Sequence, residues 1–264
     1  MTRRLDWKEF RAPDYAEIDP MKTIAVLPVA AIEQHGPHLP VGTDTIINEG
    51  LIALLKERCP DDLDLRILPV QAIGKSNEHL WAAGTITLTA ETAMKAWVEI
   101  GLSVARAGIR KMVIVNSHGG NADLISIVAR ELRVRAGMFC VRLGWGAFGT
   151  PEGVYGAQEL KHGIHGGDAE TSLVLHFRPD TVDMSKAEDF RSTAETRPIQ
   201  PIGPVAYGWI ARDVNPNGVV GEAHLATAEK GKATAEKMVT DVIGLLREVE
   251  AQDLTPFEPV RPEV

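Results

Sequence analysis

The sequence predicts an α/β fold, in which a mostly parallel sheet is covered by helices. Two observations predict this class. Short apolar runs typical of buried strands alternate along the chain with longer segments of helical periodicity. The 264 residues are also enough for one large core, and we find no internal repeat or linker. We therefore expect a single domain over residues 1–264.

Each predicted element follows from local pattern. Short apolar runs predict strands at residues 23–30, 65–70, 111–116 and 138–143. Helical periodicity predicts helices at residues 44–58, 91–107, 121–136, 169–177 and 227–250. Thr89 is the expected N-cap of the second helix, and Gly108 and Gly137 are expected to end the second and third. Irregular structure is expected at residues 71–89, at 144–168 as a long glycine-rich loop, and at 178–221.

Composition excludes several classes of protein. The net charge of -8 and the absence of a Lys/Arg cluster argue against a nucleic-acid partner. No apolar stretch is long enough to span a membrane, and no apolar run follows the basic N-terminal residues as it would in a signal peptide. Cys59 and Cys140 are too few for a disulfide scaffold. We expect a cytoplasmic protein with a small-molecule partner.

Residue types that bind metals concentrate in loops that follow predicted strands. Glu33 and His35 stand two residues apart after the first strand, so their side chains can point the same way. Asp44 lies at the start of the next helix, where a carboxylate can bridge two cations. His118 follows the third strand. Because ligands bind beyond the carboxyl ends of strands in open α/β sheets, we expect these loops to share one pocket.

Further candidates surround this group. Gly119 and Gly120 let backbone N–H groups approach a ligand beside a helix N-terminus. Residues 165–172 add His165 and Glu170. A mixed imidazole and carboxylate set suits zinc, manganese or iron and disfavours a thiolate site.

Structural roles remain open for the same residues. A single histidine after a strand is usually a loop or core residue, and an acid at a helix start, such as Asp44 or Glu170, is often a cap. On spacing alone, a metal site and ordinary structural roles are therefore alternatives. None of the remaining histidines is an expected metal ligand: His38, His79, His162, His176 and His224.

Three motifs in order resemble the creatininase family of creatinine amidohydrolases. They are residues 27–44 (LPVAAIEQHGPHLPVGTD), 116–121 (NSHGGN) and 165–172 (HGGDAETS). The resemblance covers roughly residues 6–250. It implies a single three-layer α/β domain, a two-metal site and a homo-oligomer, commonly a hexamer.

The resemblance also implies roles for individual residues. Glu33, Asp44 and His118 would hold one cation, and His35 with Asp44 would hold the other, so that Asp44 bridges them. His165 matches the histidine of the third motif and would act as the general acid.

Two positions depart from creatininase itself. Creatininase has an acidic ligand two residues after the histidine of the second motif, where this chain has Gly120, and Glu170 is the candidate to supply that carboxylate. Creatininase also has a tryptophan over the substrate, four residues before the third-motif histidine, where this chain has Lys161 beside His162. Both departures argue against creatinine as the substrate.

The expected activity is metal-dependent hydrolysis of a non-peptide C–N bond, in a small-molecule amide, cyclic amide or formamide. Two divalent cations (Zn, Mn or Fe) would hold a bridging hydroxide as the nucleophile. The oxyanion would be held by a metal, with Gly119 or Gly120 N–H groups, and His165 would protonate the leaving nitrogen. Two alternatives in the same family stay open: a peptidase of the mycofactocin-maturation type, and a non-catalytic small-molecule binder.

Other chemistries are less well supported. Residues 144–149 (GWGAFG) match the dinucleotide fingerprint, but Pro151 follows where that fingerprint needs a helix. Ser117 is a poor nucleophile candidate, because it and its neighbour His118 face apart at a strand end. Expected substrate contacts are Gly119, Gly120, Trp145, Lys161 and His162, and further aromatic residues that could wall the pocket are Phe148, Tyr155, Tyr207 and Trp209.

Overall fold

The computed structural model describes residues 3–258 and 260. Within these residues the strands are β1 (Ile24–Val29), β2 (Leu65–Ile67), β3 (Lys111–Asn116), β4 (Phe139–Gly144), β5 (Asp189–Phe190) and β6 (Gly221–Glu222). The α-helices are α1 (Thr43–Arg58), α2 (Ala90–Arg106), α3 (Ala122–Ala136), α4 (Ala157–His162), α5 (Asp168–Phe177), α6 (Ala211–Val214) and α7 (Ala228–Ala251).

A parallel sheet with strand order β2-β1-β3-β4 forms the centre of the fold. Side chains alternate between its two faces, so that Val26 packs in the core beneath α1, α5 and α7. Leu27 faces the opposite core, which α2 and α3 cover. Both faces of the sheet are therefore covered, and the predicted three-layer α/β class is confirmed.

Local signals at the helix ends are confirmed at three positions. The Thr89 side chain accepts a hydrogen bond from the Thr92 N–H at 3.2 Å and so caps α2. Gly108 follows the end of α2 with a φ of 90°, and Gly137 ends α3 with a φ of 64°. Both glycines adopt the left-handed conformation that side chains disfavour.

Several predicted boundaries were wrong. Strand β2 ends at Ile67 rather than at residue 70. The Leu68 N–H donates to Val26 O, but the next rung needs an N–H from Pro28 of β1, which has none. The predicted loop at residues 144–168 contains helix α4, and the irregular region at 178–221 contains β5, α6 and the start of β6. No α-helix begins between β4 and Ala157 in this described segment, so residues 144–149 lack the helix of a dinucleotide site.

Three other expectations concern the membrane, the number of domains and the oligomeric state. In the part of the chain that the structure describes, no helix is both long enough and apolar enough to cross a membrane. The expectation of one domain over residues 1–264 stays a prediction, and residues 1–2, 259 and 261–264 lie outside the described residues. The expected homo-oligomer also stays a prediction.

Candidate active site

The two strand-end loops that carry metal-ligand residue types meet at one edge of the sheet. β1 and β3 are parallel neighbours in register, with Val29 opposite Asn116. Glu33 follows β1, where its N–H donates to Val41 O, and His118 follows β3, where its N–H donates to the Asn116 side chain at 3.1 Å. The predicted shared pocket is present at the carboxyl ends of the strands.

The first group of donor atoms surrounds His118. Its Nδ1 lies 3.2 Å from Glu33 Oε1 and 3.3 Å from Asp44 Oδ2. Asp44 reaches this point from the first turn of α1. All three side chains are buried, so these donor atoms face one another in a water-poor environment.

The second group of donor atoms surrounds His35. Its Nε2 lies 3.7 Å from Asp44 Oδ1 and 3.7 Å from Glu170 Oε2. Glu170 comes from the first turn of α5, and its Oε2 also accepts a hydrogen bond from the Gly166 N–H at 2.6 Å. Asp44 thus presents one oxygen to each group.

The outer nitrogens of three imidazoles contact backbone carbonyls. His118 Nε2 lies 2.9 Å from Lys75 O, His35 Nδ1 lies 3.1 Å from Glu33 O, and His165 Nε2 lies 2.7 Å from Gln34 O. A carbonyl oxygen can only accept, so each outer nitrogen carries a proton. In the neutral ring, the inner nitrogen then directs its lone pair at the carboxylates.

This arrangement fits a metal centre. Lone pairs of neutral imidazoles and of carboxylates repel one another unless a cation or proton lies between them. Both carboxylate oxygens of Glu33, Nε2 of His35 and Oδ2 of Asp44 are buried without a hydrogen-bond partner. Metal-binding histidines commonly donate their outer N–H to a carbonyl or carboxylate, as these histidines do.

Charge crowding perturbs the acid–base behaviour of the group. Burial, and then the negative charge of Glu33, raise the pKa of Asp44 to about 7. Burial also raises the pKa of Glu170 and lowers the pKa of His35 well below its usual value. Burial opposes the charge on His118, but the nearby carboxylates of Glu33 and Asp44 outweigh it and raise the pKa of His118 well above its usual value. Without a cation, protons partly neutralise the cluster.

His165 and His79 complete the cluster. The His165 ring stacks on that of His79, with centroids 4.4 Å apart, and contacts the tilted ring of His35, with centroids 4.1 Å apart. His165 Nδ1 and His79 Nε2 each lie 3.5 Å from Glu33 Oε1. Pairing between His165 and Val220 backbone groups holds this loop beside β6.

A cavity of about 650 Å³ opens onto the cluster. Segment 201–210 forms one wall and contributes Tyr207 and Trp209. Among the predicted site residues, those that line the cavity are Glu33, Asp44, His118, Gly119, Gly120, His165 and Glu170.

Three residues that were expected to contact the substrate do not line this cavity. Trp145 is buried in the core beneath α1, where its indole N–H donates to Asn48 Oδ1 at 3.2 Å. Lys161 is exposed on α4, and His162 lies at the end of that helix, beside residues 189–192. The side chain of α4 that points inward is Glu159.

Sequence reasoning missed Gln34, Glu78 and His79. Glu78 Oε1 lies 3.7 Å from His118 Nε2, and its other oxygen accepts a hydrogen bond from Lys75 Nζ at 3.1 Å. Glu78 and His79 follow β2, whose carboxyl end lies at the same edge of the sheet as those of β1 and β3. That position is the signal that could have identified them.

Ser117 has a structural environment. Its hydroxyl donates to Asp44 O at 2.8 Å, and it accepts a hydrogen bond from Asn48 Nδ2 at 3.2 Å. It therefore helps to connect β3 to the start of α1, in keeping with the low expectation for it as a nucleophile.

The chain is similar to known proteins over most of its length. The family model for creatinine amidohydrolase, Creatininase, matches residues 8–246. A mycofactocin precursor peptide peptidase from Mycobacterium ulcerans (strain Agy99) is 33% identical over 225 residues, or 83% of this chain and 82% of that protein. A creatinine amidohydrolase from Pseudomonas putida is 28% identical over 261 residues, or 92% of this chain and 95% of that protein.

Solved structures give the same result for the fold. A mutant creatininase of the Zn-Zn type is 26% identical, with a TM-score of 0.75 over 95% of this chain and 100% of that chain. A structure described as Creatininase Mn is 24% identical, with a TM-score of 0.73 and the same coverage. The family match over residues 8–246 and the 33% identity to a relative show that this chain belongs to the creatininase family.

Proposed function

We propose that this protein is a metal-dependent hydrolase that cleaves a C–N bond in a small-molecule amide, cyclic amide or formamide. The observation that carries the proposal is the convergence of buried, unpartnered donor atoms from Glu33, His35 and Asp44. Relatives named as a peptidase and an amidohydrolase support hydrolysis of an amide bond.

Five residues would hold two divalent cations. Glu33, Asp44 and His118 form one set of donors, and His35, Asp44 and Glu170 form the other. When bound, such cations lower the pKa of water and polarise a carbonyl group. Zinc and manganese are supported by the relatives described with those metals, and iron suits the same donors.

His165 would move the proton. Its Nε2 proton is held by Gln34 O, so its Nδ1 is the atom that exchanges a proton in the cavity. There it accepts a proton from the attacking water and returns it to the leaving nitrogen. Gly119 and Gly120 line the same cavity and are placed to contact the substrate.

Hydrolysis of a short peptide is the second candidate function. The 33% identical relative is named as a peptidase, whereas the creatinine amidohydrolase is 28% identical. A cavity of about 650 Å³ is also in the size range of sites for ligands larger than a single ring. Both observations favour a substrate larger than creatinine.

Metal analysis is the first test. Protein purified without chelator is analysed by plasma mass spectrometry beside Asp44→Ala, and beside Asp123→Ala as a control with an exposed acid at the cavity edge. We expect two equivalents of transition metal per chain, lost in Asp44→Ala and retained in Asp123→Ala. A protein that takes up no Zn, Mn or Fe would refute the proposal.

Turnover is the second test. Metal-loaded protein is assayed on cyclic amides, formamides and short peptides, with release of the new amine or carboxylate as the readout. Turnover of the first two classes supports the small-molecule proposal, and turnover of peptides alone replaces it with the peptidase. Metal binding without turnover of any of them favours a non-catalytic binder. His165→Ala should lower kcat with metal content intact, whereas loss of metal would make His165 a ligand.

A further inference from the structure

One imidazole in the cluster differs from the other three in the partner of its outer ring nitrogen. His35, His118 and His165 place an outer nitrogen against a backbone carbonyl. The outer nitrogen of His79 instead lies 2.8 Å from the side-chain amide nitrogen of Gln34. Whether His79 offers the cavity a lone pair or a proton therefore depends on how the Gln34 amide is oriented.

Backbone groups fix the orientation of the Gln34 amide. Its Oε1 accepts from the Gly36 N–H at 2.9 Å, and its Nε2 donates to Gly218 O at 2.7 Å. An N–H can only donate and a carbonyl can only accept, so exchanging the amide oxygen and nitrogen would break both bonds. The amide nitrogen therefore faces His79.

The second amide proton is then assigned by elimination. Gln34 Nε2 has one proton on Gly218 O, and His79 Nδ1 and His165 Nε2 are the nearby ring nitrogens, at 2.8 Å and 3.3 Å. His165 Nε2 already donates to Gln34 O and so cannot accept. The remaining amide proton goes to His79 Nδ1, and neutral His79 carries its own proton on Nε2.

We propose that His79 is a hydrogen-bond donor of the reaction centre, and that Gln34 is the positioning residue that holds it as the Nε2–H tautomer. The Nε2 atom of His79 lies 3.5 Å from Glu33 Oε1, and His79 lines the cavity. It can donate to the oxygen of a substrate carbonyl as negative charge develops there. His79 keeps its proton throughout, so this role requires no proton transfer.

Burial supports the neutral form of this ring. His79 is 2% exposed, and its Nδ1 faces an amide N–H, from which a ring protonated at both nitrogens could not accept. The contact between Gln34 and Gly218 also requires a glycine at position 218. Gly218 has a φ of 71°, and a Cβ there would lie 2.7 Å from Gln34 Nε2. A side chain at this position would displace the amide.

The tautomer can be read directly by ¹⁵N NMR of histidine-labelled protein. His79 signals are assigned from their loss in His79→Gln, and spectra are recorded without metal and with Zn. We expect a protonated Nε2 and an unprotonated Nδ1 in both states. A proton on Nδ1, or a Zn-dependent shift that identifies Nε2 as a ligand, would overturn the inference.

Kinetics and metal content supply the second readout. His79→Ala should lower kcat by about 10²–10³-fold, the usual loss for one donor to a developing oxyanion, with two metals per chain retained. His79→Gln offers an N–H near the same position and should recover part of that loss. Gln34→Leu should lower kcat by less than His79→Ala, and exposed His224→Ala is the control. Unchanged kcat in His79→Ala would refute the donor role.

The inference rests on the proposed hydrolase, but the two fail differently. A protein without metal or turnover refutes the hydrolase, while the NMR experiment still reports the tautomer. A metal-loaded, active protein with the wrong tautomer, or with metal lost in His79→Ala, refutes the role of His79 alone.

Discussion

Glu159→Ala should loosen the loop of the third motif, residues 165–172, without removing a proposed metal ligand. Glu159 is 6% exposed, on the inner side of α4. Its carboxylate accepts hydrogen bonds from the Glu222 N–H at 2.8 Å and from the Ala169 N–H at 3.2 Å. It thereby ties β6 to the first turn of α5, the turn that carries Glu170. Burial raises the pKa of Glu159, as expected for an acid enclosed by protein.

The magnitude follows from these two bonds. Truncation leaves two half-buried N–H groups without their acceptor, at about 1 kcal/mol each, so we expect a loss of about 2 kcal/mol in the free energy of unfolding. For a chain of this size that corresponds to a fall in Tm of roughly 4–8 °C. Glu159→Gln keeps one acceptor oxygen and should fall between wild type and Glu159→Ala.

Thermal unfolding of the metal-free protein measures this loss without interference from metal binding. Lys161→Ala is the matched control, because Lys161 is exposed on the same helix and should change stability by no more than about 0.5 kcal/mol. In metal-loaded protein, Glu159→Ala should also lower kcat, since Glu170 loses its support. If Glu159→Ala and Lys161→Ala unfold within about 1 °C of each other, the bonds do not stabilise the loop as argued.

Three further predictions concern the site and the thiols. Gly120→Ala should weaken metal binding measured by calorimetry, because a Cβ would lie 2.6 Å from Lys75 O, the acceptor that orients His118. Gly119→Ala is the control: a Cβ there meets nothing within 4 Å, so metal affinity should be unchanged. Metal affinity should fall as the pH is lowered from 8 to 6, because cations must displace the protons held by His118 and Asp44, and calorimetry in two buffers should detect proton release. Cys140, whose pKa burial raises to about 12, should resist iodoacetamide at pH 8 until the protein unfolds, as mass spectrometry would show.

The sequence was sufficient to predict that Glu33, Asp44 and His118 lie close together. Glu33 and His118 follow β1 and β3, and both strands are recognisable as short apolar runs. Parallel neighbours present their carboxyl ends at one edge, so the proximity of the two residues follows from strand order and direction. Asp44 follows in the same way, because the helix after β1 must begin near that edge.

Contacts between distant segments were not predictable in this way. Gln34 bonds to His79, 45 residues away, and to Gly218, 184 residues away, and no periodicity relates these positions.

Trp145 was predicted to contact the substrate, but it lies in the core. A glycine-rich segment after β4 suggests a functional loop, but the indole turns into the core beneath α1 and bonds to Asn48. Which side of the sheet a residue just beyond a strand end faces depends on local backbone geometry.

The segment around Gln34 orients imidazoles from three loops. Glu33 O accepts from His35, Gln34 O accepts from His165, and the Gln34 side chain donates to His79. The first two contacts use backbone oxygens, which no side-chain substitution removes. Substitutions at positions 33 and 34 should therefore leave the protons of His35 and His165 on the same ring nitrogens. Which nitrogen of His79 carries the proton depends instead on the side-chain amide of Gln34, which a substitution can remove. Substitution at position 34 can therefore change the hydrogen-bond donor of the cavity while the proposed metal ligands keep their orientation.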